Sequence, residues 1–379
     1  MAWIVALLVG LMGGERVDPG PCSDGGWGAI PAGDVVHVRI DGTDDGDGSA
    51  DAPLRTLAAA VDLAGRRDAL NRVIGVGPGI FPTDPIMVDE TQVGVTLAGC
   101  GVGSTLLAAT DHTEPLVSFA GGSAGGLAGL ALLGGAVGVE ITDGAVALLS
   151  DIQISGAFGP GVLVDQATVE IDGVMVLPPS PDAECGYGLS VTAGVARGEE
   201  LMVVGALGLG IFLQDAVLSM DLVDVALTVM DPGAQLGRGL HAQDSFVSVR
   251  SGAFSGNVDA SLFIDDSWAD LQGIVIDITG AGVVGDVLTG DGLVVVDDGT
   301  RRVRLLSSRV IGSPRAAVLL DGASMLASDT IVEGTGLELL VGAPFGLQNG
   351  ARLIGGDSDL GAALDSPLPY VRIDPVCGV

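Results

Sequence analysis

Three rings recur at one offset of an internal repeat. Phe212, His241 and Phe263 each follow a small residue and then an aliphatic one, as in Gly210 and Ile211, Gly239 and Leu240, Ser261 and Leu262. Two residues beyond each ring come Gln214, Gln243 and Asp265. Rings give the apolar face of a sugar a flat partner, and amides and carboxylates bond its hydroxyls. The six residues form a candidate ligand-binding surface for a glycan. His241 is assigned a contact and no proton transfer. The competing explanation is a satellite core, with the row packed beneath the long loop between Met230 and Arg238. Glycosidase chemistry would need two carboxylates about 5 to 10 Å apart, a spacing that stacked coils supply in many places by accident.

The elements that carry this row repeat along most of the chain. Units begin at Gly138, Gly161, Gly188, Gly210, Gly239, Ser261, Asp286, Ala317 and Gly336, with steps of 23, 27, 22, 29, 22, 25, 31 and 19 residues. An aliphatic residue always comes next, and a second apolar residue mostly follows two further on. A period in the twenties with alternation of two inside it predicts stacked β-coils. Further alternating pairs, such as Val247 with Val249 and Ile152 with Ile154, give three short strands per coil. An α-solenoid or leucine-rich repeat is excluded by the strict alternation, the β-branched residues and the 62 glycines. If the first and third residues of a strand point inward, the second and fourth point outward. Neighbouring coils lie about 4.8 Å apart, so Phe212, His241 and Phe263 stack. Asp143, Asp215, Asp244, Asp266 and Asp291 share the following turn offset, where Asp supplies an acceptor for turn amides.

The 379 residues carry a formal net charge of -32, with 16 arginines and no lysine. Such a surface repels nucleic acid and anionic membrane. It also disfavours an acidic polysaccharide unless a divalent cation bridges the two. Aromatic residues make up only 3%, as expected where small aliphatics fill a narrow layered core. Residues 1–14 contain an uncharged apolar run that fits a signal peptide, with no basic residue before it and no clear cleavage site after it. Residues 15–33 read as a linker. Localisation is therefore expected to be extracellular, at the cell surface or periplasmic, with no integral membrane span after signal removal. The uncharged run from Leu116 to Val139 is in phase with the repeat and is expected to be a buried coil. Cys22, Cys100, Cys185 and Cys377 permit disulfides. The ends of the solenoid are too far apart for Cys22 to meet Cys377, whereas Cys22 with Cys100 is compatible with it.

A first strand is expected over Val35 to Ile40. The acidic turn after it makes Asp41, Asp44, Asp45 and Asp47 a candidate calcium site, although Thr56 stands where an EF-hand would have Glu. A solvated loop needs no ion there, and no cofactor is required. A helix is expected over 53–65, with Asp51 as cap, Pro53 in the first turn, and Leu54, Leu57, Val61 and Ala64 on one face. It would plug the open end of the solenoid.

The stretch V-R-I-D-G-T-D-D-G-D-G-S-A-D-A-P-L-R-T-L-A-A-A-V-D-L-A, from Val38 to Ala64, resembles the N-terminal motif of right-handed parallel β-helix proteins of the pectate-lyase-like (pectin lyase fold) superfamily. V-I-G-V-G-P-G-I-F from Val73 resembles their V-x-P-G-x-Y strand, and V-T-L-A-G-C-G-V-G-S-T-L from Val95 the strand after it. The resemblance implies an all-β fold: a single-stranded right-handed parallel β-helix of about ten coils over 34–379, with a short N-terminal capping helix. It does not imply one activity, because the superfamily spans lyases, hydrolases, epimerases, tailspikes and adhesins. The chain lacks the G-H-G and lysine of the superfamily's hydrolases, and a lysine-base lyase is impossible. Two functions stay open: an exported non-catalytic protein that binds a polysaccharide or cell-surface glycan or acts as a spacer, and a polysaccharide lyase or hydrolase. Neither catalytic residues nor oligomeric state follow from the sequence.

Overall fold

The computed structural model describes residues 35–66, 72–230, 236–277, 279–280, 289–297 and 301–333, and the backbone alone of 282–284, 287–288, 334 and the strands 343–348, 352–355 and 363–364. The segments 1–14 and 15–33, together with Cys22 and Cys377, lie outside the described residues. Both described cysteines, Cys100 and Cys185, are disulfide-bonded.

The chain winds into a right-handed parallel β-solenoid of about ten turns with one short helix near its start. Each coil contributes three strand segments. The first segments pair into a 12-stranded sheet, here the first face. The second and third segments belong to a 20-stranded sheet that bends round a corner. In early coils one strand runs through that corner, as Val146–Ser155 does, with Asp151 at φ 50°. In later coils it divides, as into Phe246–Val249 and Gly252–Ser255. Register is set by the alternation. Val139, Val162, Leu189, Ile211, Leu240 and Leu262 align as successive partners, all fully buried. They belong to one apolar core that runs from Val36 to Val332. The run from Leu116 to Val139 is one such coil, with strands at Val117–Phe119 and Ala124–Leu133. Among the described residues no helix is long and apolar enough to cross a membrane.

Two units differ from their expected positions. Leu262 pairs with Leu293, which pairs with Val318. The seventh unit therefore begins at Gly292, not at Asp286. Residues 287–289 instead form an antiparallel hairpin with 282–284, inserted before the coil. Val287 and Thr289 imitate the alternation of a first strand, which is why spacing alone misplaces it. The unit expected at Gly336 lies outside the described residues, and the next strand on the first face is Ala343–Gln348.

The helix, α1, spans Leu57–Gly65 and is shorter than expected. Thr56 is its N-cap, accepting from the Ala59 amide, and not Asp51. Leu54 is instead bridged to Val38. The reason is Asp44, whose carboxylate accepts from the amides of Arg55 and Thr56 at 3.0 and 2.9 Å and from the Thr56 hydroxyl at 3.0 Å. These bonds hold Pro53 to Thr56 in the turn. Leu57, Ala60, Val61 and Ala64 are buried against the first coils, so α1 covers the apolar end.

The turn ladder needs a second correction. Asp143, Asp215, Asp244 and Asp266 all adopt left-handed φ between 41° and 53°. Gln166 and Ala193 take the same conformation in neighbouring coils. What Asp brings is its tolerance of that conformation. Asp291 is not in the ladder, since it opens the strand Asp291–Val296.

Candidate functional site

The aromatic row of the first face exists as a stack. Phe212 pairs with His241 and His241 with Phe263 in register, with ring centroids 5.8 and 5.0 Å apart and near-perpendicular planes. Gln214, Gln243 and Asp265 align beside it. The row is not open to a ligand. Phe212, His241 and Phe263 are 5%, 1% and 1% exposed, and Asp265 is buried too. Gln214 and Gln243 are half-buried. Phe212 packs with Tyr187, Leu209 and Leu236, and Phe263 with Val294 and Leu319. Loop placement explains the cover. Between Gly138 and Ala317, the steps 161 to 188, 210 to 239 and 261 to 292 add their extra residues between the third strand and the next first strand. Insertions at one junction fold over one face.

Under that cover the first face holds charges that spacing did not single out. Arg238 is 1% exposed. Its Nε donates to Asp259 at 2.6 Å, its guanidinium carbon sits 3.7 Å from the Phe263 ring centroid, and Nη1 lies 3.3 Å from His241 Nδ1. Arginine only donates, so His241 Nδ1 accepts in this contact. One coil on, Arg315 pairs with Asp291 from both Nε and Nη2, with Nε at 2.8 Å. Burial pushes the Asp291 carboxyl up, against the hydrogen bonds and charge of Arg315. These buried pairs lie within the cover of the first face.

The acidic turn is used internally. Asp41 pairs with Arg39 at 3.0 Å, Asp44 anchors α1, and Asp47 accepts from the Ser49 amide at 2.9 Å. Among the described residues no group of three or more His, Cys, Asp or Glu is arranged to hold a metal ion.

The second face is open. Its outer side carries two adjacent rows. In one, Val195, Val217, Phe246 and Trp268 follow each other in register. In the other, Glu170, Arg197, Ser219, Ser248, Asp270 and Arg304 do. Phe246 and Trp268 are 45% and 46% exposed, and they are the exposed Phe and Trp side chains among the described residues. Beneath them the inward partners Val247 and Ala269 are buried. The pair has a sequence signature: each ring stands six residues after the inward aliphatic of its unit, Leu240 or Leu262. Attention to the first strand alone passes over it.

Next to the pair, the face dips into a concavity of about 500 Å³ lined by Glu170, Asp172, Arg197, Glu199, Asp221 and Arg250 among others. Arg197 Nε donates to Glu170 at 3.1 Å and Arg250 Nε to Asp221 at 2.6 Å. Asp172 accepts from the Ser150 hydroxyl at 3.3 Å. Each arginine thereby pairs with an acid on the preceding coil. Together the strip can stack against apolar ring faces and bond hydroxyl or charged substituents.

No family model matches the chain, and no curated protein matches it in sequence. Solved structures with a similar fold include ORF18 of Geobacillus virus E2, at 12% identity and a TM-score of 0.40, covering 84% of this chain and 60% of that one. The chain thus spans under two thirds of the length of the viral protein. The A-module of the mannuronan C-5 epimerase AlgE6 of Azotobacter vinelandii gives 11%, 0.38, 82% and 94%. The pectate lyase Pel9A gives 14%, 0.35, 91% and 82%. At these values the similarity carries no inference about activity, and the fold rests on the strand register itself.

Proposed function

We propose that the protein is a non-catalytic glycan-binding β-solenoid whose contact surface is the open second face around Phe246 and Trp268. One observation carries this: the two exposed rings occupy the same outward position on adjacent coils, about 4.8 Å apart, in a chain whose other described Phe and Tyr rings are wholly or partly buried. Exposed large rings are costly on a free surface and characteristic of a binding one. Ser248 and Asp270, directly beside them, supply hydroxyl and carboxylate partners. A pure spacer would not require the pair.

Titration of the full chain against a panel of neutral and charged polysaccharides, read by tryptophan fluorescence, tests it. Trp268→Ala and Phe246→Ala are expected to abolish binding while leaving the melting temperature nearly unchanged. Absence of any saturable binding across the panel, or equal binding by both variants, would refute the assignment.

A lyase or hydrolase is the second reading, favoured by Arg197 and Arg250 lining one concavity with four carboxylates. Release of new chain ends from a bound polysaccharide, lost on replacing Arg197 but not Trp268, would establish it in place of the first.

A further inference from the structure

We infer that the glycan taken by the second face is cationic, an amino-sugar polymer with free amines; this rests on the glycan-binding assignment to Phe246 and Trp268. The aromatic pair says that a ring stacks but not which substituents the ring carries. The surface beside it does. The concavity sets four carboxylates, Glu170, Asp172, Glu199 and Asp221, against two guanidinium groups, a formal excess of two negative charges. Each guanidinium is already engaged, Arg197 by Glu170 and Arg250 by Asp221. Asp172 is held only by the Ser150 hydroxyl, and Glu199 makes no ion pair among the described residues. These two carboxylates remain for a ligand. Beyond the rings, Asp270 pairs with Arg304 at 3.1 Å, and Arg302, next to Trp268 on the following coil, is exposed and is the one guanidinium at the far end of the strip without an ion pair among the described residues.

The geometry makes the strip continuous. Ser219, on the rim of the concavity, is the register partner of Ser248, and Val217 is the partner of Phe246. From Leu148 to Arg304 the row crosses six coil intervals, about 29 Å at about 4.8 Å each. An extended oligosaccharide laid along the solenoid axis would stack on Phe246 and Trp268 and bring amines of neighbouring residues to Asp172 and Glu199. A uronate chain would set its carboxylates against the same acids. The field of the whole chain, at -32, favours the cationic ligand and repels the anionic one.

The test compares three probes on the full chain: a β-linked glucosamine oligomer, its fully N-acetylated counterpart and an oligogalacturonate. The free-amine oligomer is expected to bind at least about tenfold tighter than the acetylated one, the effect of one charge-assisted hydrogen bond, and the uronate is expected not to bind. Asp172→Asn with Glu199→Gln should erase that preference without a shift in melting temperature. Trp268→Ala should weaken both amino-sugar probes. Equal, Trp268-dependent binding of the free and acetylated oligomers would overturn the amine assignment and leave glycan binding standing. Free-amine binding that survives Trp268→Ala and is displaced by spermidine would show plain charge attraction and overturn the inference. Binding of none of the probes would overturn the amine assignment, and the wider panel then decides whether glycan binding falls with it.

Discussion

The guanidinium of Arg238 lies over the ring of Phe263, 3.7 Å from its centroid, on the covered first face. The same guanidinium is tied to Asp259 and reaches His241. A cation is thus held out of water by one carboxylate, one imidazole nitrogen and one aromatic face. Breaking such a pair from one side leaves a buried charge uncompensated. Asp259→Ala is expected to cost about 3 to 5 kcal/mol in denaturant unfolding. Replacing Arg238 and Asp259 together by apolar residues should cost much less than the sum of the single changes. Additive costs would show that the pair is not coupled.

The two aromatic rows should respond in opposite ways. Phe263→Ala empties a packed site beside Val294 and Leu319 and is expected to cost about 3 to 5 kcal/mol. Glycan binding by the folded fraction should persist. Trp268→Ala, on an open face, should stay within about 0.5 kcal/mol of the parent. A stable Phe263→Ala protein would mean that the first face is less well covered than its burial indicates.

The N-terminal plug is expected to loosen in acid. Burial acts to raise the Asp44 carboxyl, but hydrogen bonds from Thr56 and Arg55 outweigh it and the net shift is downward. A lowered folded value stabilises the protein above the unfolded value and is lost as pH falls through the folded one. Asp44→Ala should therefore expose the amides around α1 to faster hydrogen exchange at neutral pH. Parent and variant should converge in strong acid. Unchanged exchange at neutral pH would remove Asp44 from this role.

Asp224 should show the opposite sign. It accepts from the Ala253 amide at 3.0 Å, and partial burial raises its carboxyl despite that bond. A raised folded value means the native state binds the proton more tightly, so this contribution is present below the unfolded value and is lost as pH rises through the folded one. Asp224→Asn keeps the acceptor without the charge. It is expected to melt above the parent at neutral pH, with the gain vanishing in acid. A variant less stable at neutral pH would contradict the sign.

Much of the architecture was legible in the sequence because one physical rule generates it. A coil that buries alternate residues only against its neighbours must repeat the same alternation. A small residue followed by an aliphatic therefore marked the first strands from Gly138 to Ser261, and the inward sites Ile211 and Leu240 are fully buried. The rule faltered at Val287, where a hairpin copies the alternation and only pairing with Leu262 identifies Leu293 as the true inward residue. It also overextended α1, because Asp44, twelve residues from Thr56, takes the amides that local propensity would give to the helix.

The candidate site divided along the same line. Alternation says that Phe212, His241, Phe263, Phe246 and Trp268 all point away from the core. It does not say whether they reach solvent, since exposure depends on what else folds over the sheet. Insertions at the third junction cover the first face, and Arg238 meets Asp259 across 21 positions to close it. The second face receives no such cover, so the exposed pair stands there. The sequence set which side chains leave the core, because that depends on neighbours two residues apart. The path of distant loops, set by packing and charge pairing across coils, decided which of those side chains a ligand can touch.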